Sequence, residues 1–301
     1  MTMQNLSRNT EAVADSLAAM IKRELTTSHS CSCHEGYLNS SDPNMINAGD
    51  RMKLVDWCYD IVEHCRYSRE TVASAMEMVD RFLSMPSNSA DAARVSDEAL
   101  IDPSKFQLLT VAALYTSIKI NEKVAISSDQ FAEMCRHVYT VGEIEDMERT
   151  MLRGLSWRCH APTAQQVGLS ILSLLLPSVN ISEVTWEFLI NEMKYLIELA
   201  VRDYYFSTQR TSTVALAAIL NVISDTRSTK ERKVLGAFLR VTMECFDFDH
   251  PNQIAAARSR LQSSETLKFD VEDERSLDDS MKTFKVSNRS SAREIVRVIS
   301  G

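Results

Sequence analysis

The chain has 301 residues, of which 45% are hydrophobic, and its formal net charge is −8. This length and hydrophobic content suffice for two domains with separate cores, whereas the negative charge disfavours sequence-independent binding to phosphate backbones. With only seven glycines and six prolines, turn residues are scarce, and the abundant Ala, Leu, Met, Glu and Lys favour helices. We therefore predict an all-α protein that does not bind nucleic acid.

The first residues lack the charged start and apolar run of a signal peptide, and the longest apolar stretch, residues 167–179, is too short to cross a bilayer. Seven cysteines without regular pairing suit a reducing compartment. We therefore expect a soluble intracellular protein with no membrane partner. Cys31, Cys33 and His34 form a cluster that could bind zinc, but no second ligand pair follows at a usual spacing, so we expect no metal and no cofactor.

In chain order, apolar residues at helical spacing predict an amphipathic helix over residues 8–25, which could dock on the main body. Residues 26–45 are polar and predict a linker. Five helices follow, at residues 47–66, 69–84, 103–120, 127–136 and 141–154. The third is apolar all the way round, which predicts the central helix of a bundle. The long polar connection at 86–103 predicts an exposed excursion.

After residue 163 the pattern restarts with five further helices, at residues 163–176, 182–204, 209–225, 230–245 and 250–262. Small and apolar residues at 212–220 mark a second central helix, so an internal structural repeat is expected. We predict four regions: an N-terminal helix and linker (1–45), two five-helix domains (46–160 and 161–262), and a largely disordered tail (263–301), which is acidic and rich in serine.

No arrangement of residues in the sequence predicts catalysis. A Gly-rich phosphate loop, a His-Glu-x-x-His motif, a nucleophile elbow and a Cys with a placed His partner are all missing from it. The acids of the segment 246–250 are interpreted as an N-cap for the next helix. We therefore predict that the protein is not an enzyme.

Four charged residues lie within apolar runs of helical period: Arg51, Asp80, Lys119 and Glu148. If the first two helices are antiparallel, Arg51 and Asp80 meet at one end and form a structural pair. Lys119 ends the central helix, and Glu148 lies on the fifth.

Lys119 and Glu148 can border an apolar patch that is made of three residues: Ile120, Leu152 and Trp157. Such a patch suits the docking of a partner's helix. The alternative is an ordinary intramolecular salt bridge, which physical chemistry alone favours.

The segments 51–57, 75–84, 106–119 and 147–157 resemble, in order and spacing, the conserved segments of the cyclin box. The resemblance covers residues 46–160, and residues 161–163 and 213–218 are similar to landmarks of the C-terminal cyclin fold. It implies an internal Arg51–Asp80 ion pair, with Leu108 packed in the central helix. It also implies that Lys119 and Glu148 contact a cyclin-dependent protein kinase, with Ile120, Leu152 and Trp157 taking the apolar face of the kinase's movable helix.

The function implied is that of a regulatory subunit that binds and activates such a kinase to control cell-cycle progression, in the nucleus and cytoplasm. Two alternatives remain open: a nutrient-responsive or transcription-linked cyclin with another kinase, and a cyclin-fold transcription adaptor.

Substrate proteins are a further class of partner that the resemblance implies. Leu54, Trp57 and Gln107 match the lining of a substrate-docking groove, but Asp50 and Lys53 stand where that groove is apolar.

Overall fold

The structure, a computed structural model, describes residues 3–27, 37–38, 45–84, 89–124, 126–175 and 181–276. The described residues contain twelve α-helices and one short 3-10 helix, and no strand occurs among them. The fold is therefore all-α, as the composition predicts. The chain divides into two compact units. The first unit consists chiefly of Cys33–His160 and Val201–Thr208; the second consists of Met1–Ser32, Ala161–Ala200 and Gln209–Phe269.

The first unit is built around one buried helix. Its helices are α2 (Ala48–His64), α3 (Glu70–Ser84), α4 (Ala90–Ile101), α5 (Pro103–Asn121), α6 (Ser128–Met134) and α7 (Val141–Gly154). Every residue of α5 from Phe106 to Ile118 is buried, and α3, α4 and α7 pack against it. Helix α5 is thus the central helix that its uniform apolarity predicts.

The segment 86–103 corrects one expectation. Residues 90–101 form α4, which packs against α5 and α7 instead of making an exposed excursion. Ala92, Val95 and Ala99 are its buried residues, and their spacing of three and four places them on one helix face. This buried stripe is narrow and its residues are small, so the sequence of α4 shows only a weak hydrophobic periodicity.

The second unit repeats the plan of a buried central helix. It contains α1 (Met3–Thr27), α8 (Ala164–Leu175), most of α9 (Glu183–Arg202), α10 (Thr211–Asp225), α11 (Thr229–Cys245) and α12 (Pro251–Ser276). Helix α10 is buried along most of its length, and α8 and α11 pack against it. Helix α12 continues past Gln262, where the sequence predicts the tail to begin; residues 277–301 lie outside the described residues.

The N-terminal helix α1 supplies the N-terminal cap of α10. Leu17 and Ile21 of α1 are buried, and α1 packs against α8. Arg210, at the N-cap position of α10, offers no side-chain cap. Instead, Glu24 Oε1 accepts hydrogen bonds from the Ser212 backbone N–H at 2.9 Å and from the Thr211 hydroxyl at 2.7 Å. A carboxylate there satisfies backbone donors and favours the positive end of the helix dipole.

The Glu24→Ala substitution should destabilise the protein by about 2 kcal/mol or more, because it leaves a buried helix end uncapped and removes an ionic partner of Arg210. Chemical unfolding followed by circular dichroism measures the change. Glu11→Ala, at an exposed position of the same helix, is the matched control and should change stability by less than about 0.5 kcal/mol. Equal losses in both variants would contradict the capping role.

Candidate partner-binding site

Arg51 and Asp80 form a buried bidentate ion pair between α2 and α3. Arg51 Nε donates to Asp80 Oδ1 at 2.8 Å, and Nη2 donates to Oδ2 at 2.7 Å. Arg51 is 2% exposed and Asp80 8%. The structure therefore brings together the two residues that the sequence pairs, in the fork geometry that makes such bonds strong.

Two further groups complete the surroundings of this pair, and neither is apparent from the sequence. Arg51 Nη1 donates to the Val201 carbonyl at 2.7 Å, and the Tyr37 hydroxyl donates to Asp80 Oδ1 at 2.6 Å. Burial alone would lower the pKa of Arg51, but the Asp80 carboxylate outweighs it and raises the pKa above its ordinary value. Burial and then Asp80 raise the pKa of Tyr37. The Arg51 guanidinium therefore keeps its charge although it is buried.

The Asp80→Asn substitution should destabilise the protein by about 3–5 kcal/mol, because the buried Arg51 guanidinium loses its counter-charge while the side-chain shape is kept. Urea unfolding measures the loss. Asp56→Asn is the matched control, since Asp56 pairs with Arg202 at 2.5 Å but its side chain is 51% exposed, and the expected loss there is below about 1 kcal/mol. The structural role of the Arg51–Asp80 pair would be wrong if the two variants lost the same stability.

Lys119 and Glu148 also meet, but at the edge of the unit. Lys119 Nζ lies 2.6 Å from the Glu148 carboxylate, and it lies over the Tyr115 ring at 4.3 Å from the centroid. Glu148 Oε1 also accepts a hydrogen bond of 2.7 Å from the Thr116 hydroxyl. The Lys119 side chain is 35% exposed and that of Glu148 only 11%. The pair is thus a fixed carboxylate beside a more open ammonium group.

Three apolar residues accompany this pair in the sequence prediction: Ile120 and Leu152 are half-buried, and Trp157 is 67% exposed. The Trp157 indole follows α7 in a tight C-terminal turn. Ser156 and Trp157 have φ values of 51° and 61°. The Trp157 N–H donates to the Leu152 carbonyl and the Ser156 N–H to that of Arg153, which is a Schellman motif with serine in the position usually taken by glycine. The turn fixes the backbone of an exposed tryptophan.

A buried arginine on α3 donates a hydrogen bond to the backbone just after this turn. The sequence does not predict this contact. Arg81 is 2% exposed, and its Nη2 donates to the Arg158 carbonyl. Its Nε lies 3.2 Å from Glu77 Oε1. Burial raises the pKa of the Cys159 thiol, and the charges of Arg81, Glu77 and Glu148 also act on it. The turn that carries Trp157 is therefore tied to α3 through the Arg158 carbonyl.

Burial raises the pKa of Glu77 to about 7 from an ordinary value of 4.5, although Arg81 opposes the rise. Between these two pH values the folded protein binds the proton more tightly than the unfolded chain does, so stability should fall as the pH rises through this window. Glu77→Gln should remove that slope. Urea unfolding at about pH 5, 6, 7 and 8 measures it, and a wild-type-minus-variant difference that does not change with pH would contradict the shift.

The residues matched to a substrate-docking groove are all buried. Leu54 and Gln107 are 0% exposed and Trp57 is 7% exposed, and Gln107 Oε1 lies 2.9 Å from the Tyr139 hydroxyl. The two departures from the groove pattern have a local explanation. Asp50 closes a capping box with Asn47 at the start of α2, and Lys53 pairs with Asp50 at 3.3 Å. These two positions serve the helix terminus.

The remaining sequence candidates are the possible metal cluster and the segment 246–250. Among the described residues, no group of three or more His, Cys, Asp or Glu side chains could hold a metal, and the Cys31, Cys33 and His34 cluster lies outside the described residues. Of the segment 246–250, His250 and not an acidic residue caps the start of α12, because the Asn252 N–H donates to His250 Nδ1. Asp249 instead binds Arg210 at 3.0 Å.

No helix in the described part of the chain is both long enough and apolar enough to cross a membrane.

The described residues thus form two helical units, each with a buried central helix. The first unit carries the Glu148 carboxylate, the Lys119 ammonium group and the exposed Trp157 indole. The family model of the cyclin N-terminal domain matches residues 15–160. Together with the relatives described next, this match supports a protein of the cyclin family.

Several curated cyclins are similar in sequence. Cyclin-A2-1 of Oryza sativa subsp. japonica is 27% identical over 174 residues, which are 58% of this chain and 32% of that protein. The G2/mitotic-specific cyclin-A1 of Caenorhabditis elegans is 27% identical over 193 residues, 64% of this chain and 36% of that protein. The G2/mitotic-specific cyclin-B1 of Oryzias javanicus is 30% identical over 174 residues, 58% and 38% of the two chains. The matched part thus spans about a third of these relatives' length.

Two solved structures share the fold. A viral cyclin from herpesvirus saimiri superposes with a TM-score of 0.57 at 15% identity, covering 82% of this chain and 97% of the viral one. A chain of the CAK complex from Chaetomium thermophilum, solved with ATP-gamma-S, gives a TM-score of 0.51 at 13% identity, covering 99% of this chain and 84% of that one. The all-α architecture of two tandem cyclin folds is therefore confirmed.

Proposed function

We propose that this protein is a non-catalytic regulatory subunit that binds and activates a cyclin-dependent protein kinase. The match to the cyclin N-terminal domain supports the class. The observation that carries the proposal to particular residues is the Lys119–Glu148 pair, together with the exposed Trp157 in the turn that ends the helix of Glu148. These three groups suit the binding of a helix end on a partner. The carboxylate can accept hydrogen bonds from backbone N–H groups, and the ammonium group can donate to backbone carbonyls. The indole can cover apolar surface of the partner.

The geometry of the pair favours recognition over simple stabilisation. Glu148 is held by Thr116 and Lys119 before any partner arrives, so little side-chain entropy is lost on binding. Lys119 is more open, and three N–H bonds on one ammonium allow it to keep Glu148 and bind a carbonyl as well. Ile120 and Leu152 keep part of their apolar surface exposed beside them.

Activation would follow from conformational linkage. A subunit that binds only the kinase state with its regulatory helix turned inward shifts the population towards that state. That state completes the Lys–Glu pair that a protein kinase needs for phosphoryl transfer. To move the equilibrium from about 1:99 to about 99:1, the subunit must bind this state about 10⁴-fold more tightly than the other. A rigid, preformed surface supports such discrimination.

We propose a role in cell-cycle progression and a location in the nucleus and cytoplasm. The naming of similar proteins as G2/mitotic-specific cyclins supports the first. A nutrient-responsive or transcription-linked cyclin is the second candidate, and protein levels across synchronised cell division separate the two, since only the first predicts oscillation. A cyclin-fold transcription adaptor would instead bind promoter DNA at physiological salt, which the net charge of −8 disfavours.

The Lys119→Ala, Glu148→Ala double variant should remain folded yet lose at least about tenfold in affinity for the kinase, with a matching loss of histone-kinase activation. Co-purification of the two proteins and a kinase assay measure both. Arg149→Ala is the control, because Arg149 lies on the same helix, is exposed and pairs with Asp146. Binding and activation at wild-type level in the double variant would show that the assigned surface is wrong.

A further inference from the structure

Helix α11 of the second unit presents an apolar stripe that none of the preceding sections uses. Its buried side, with Leu235 and Leu239, packs into the unit. On the outer side Val234 is 41% exposed and Val241 58%. Four residues share this outer face at spacings of four, three and four: Val234, Phe238, Val241 and Cys245. Phe238 is half-buried and Cys245 exposed. The stripe runs for about 17 Å along the helix axis.

A row of cations borders this stripe on one side. Lys230, Lys233 and Arg240 are all exposed, and their spacing places them together on the flank next to Val234 and Val241. Within the part of the chain that the structure describes, none of the three forms an ion pair. Lys230 and Lys233 are separated by three positions, so their charges repel each other and slightly destabilise the helix. Exposed Glu244, one turn after Arg240, is the acidic residue on this flank, so three positive charges and one negative charge leave the flank basic in a chain of net charge −8.

We propose that the outer face of α11 binds an acidic amphipathic helix of a partner protein. The apolar stripe has the length of about three helical turns, which matches a helix with apolar residues at spacings of three and four. Acidic residues on that helix would neutralise Lys230, Lys233 and Arg240 and so relieve their repulsion. A second copy of the same face is a poor occupant, because two basic rows would then approach each other.

A membrane surface is a less suitable occupant than a helix. Peripheral membrane helices bury a broad apolar face with bulky side chains in the headgroup region, whereas this stripe is one residue wide and contains two valines and one half-buried phenylalanine. The proposal is independent of the kinase, since Lys119, Glu148 and Trp157 belong to the first unit and α11 to the second.

The test uses the full chain and a labelled synthetic peptide of about 18 residues, with leucines at helical spacing and glutamates on both flanks. A matched peptide carries lysines in place of the glutamates. Fluorescence anisotropy should show that the wild-type protein prefers the acidic peptide by at least about tenfold, and that Lys233→Glu, Arg240→Glu reverses the preference. Val241→Ser should weaken binding of the acidic peptide by at least about threefold.

The control variant Lys22→Glu, Lys123→Glu makes the same change of charge at exposed positions elsewhere and should keep the wild-type preference. Unfolding curves establish that all variants are folded. The proposal is overturned if the acidic peptide fails to bind, or if the charge reversal leaves the preference unchanged. Binding to phosphatidylserine vesicles that is lost in the Lys233→Glu, Arg240→Glu variant, without binding of the peptide, would replace the helix by a membrane surface.

Discussion

The first unit depends on one desolvated guanidinium group. Arg51 joins α2 to α3 through Asp80 and also binds the carbonyl of Val201, while Tyr37 binds the same carboxylate. Four stretches of chain that are distant in sequence thus converge on two buried charges. A buried ion pair adds little net free energy compared with an apolar replacement, but it penalises every arrangement in which one partner is left alone. Its contribution is therefore to specify how α2 and α3 pack.

A second ion pair of the first unit is less deeply buried. Lys119 and Glu148 differ from Arg51 and Asp80 chiefly in that the cation is about one third exposed. Exposure lowers the value of the pair for stability, but it leaves donors free to engage another molecule. The contrast between the two pairs therefore separates a group that organises the domain from one that is suited to recognition.

The sequence predicts helices well where their apolar faces are wide. Helices α2, α3, α5 and α7 lie within a few residues of their predicted bounds, because bulky apolar residues recur at helical spacing in each. Helix α4 escaped prediction because its buried residues are two alanines and one valine. Hydrogen bonds to backbone carbonyls, such as those of Arg51 to Val201 and of Arg81 to Arg158, could not be predicted. Every residue has a backbone carbonyl, so the sequence does not indicate which one accepts a hydrogen bond.

The cap that Glu24 places on α10 has a consequence for how the chain folds. The carboxylate and the Ser212 N–H that it binds are 188 positions apart in sequence. The whole segment Cys33–His160 is inserted between the first and the second of the three parts of the second unit. During synthesis, the segment Cys33–His160 is therefore available to fold before α8, α10 and α11 are made, although the Val201 carbonyl that Arg51 binds follows later. Helix α1 must wait, with Leu17 and Ile21 uncovered, until its docking surface on α8 has been synthesised. In the cell, that delay exposes this helix to chaperones and proteases.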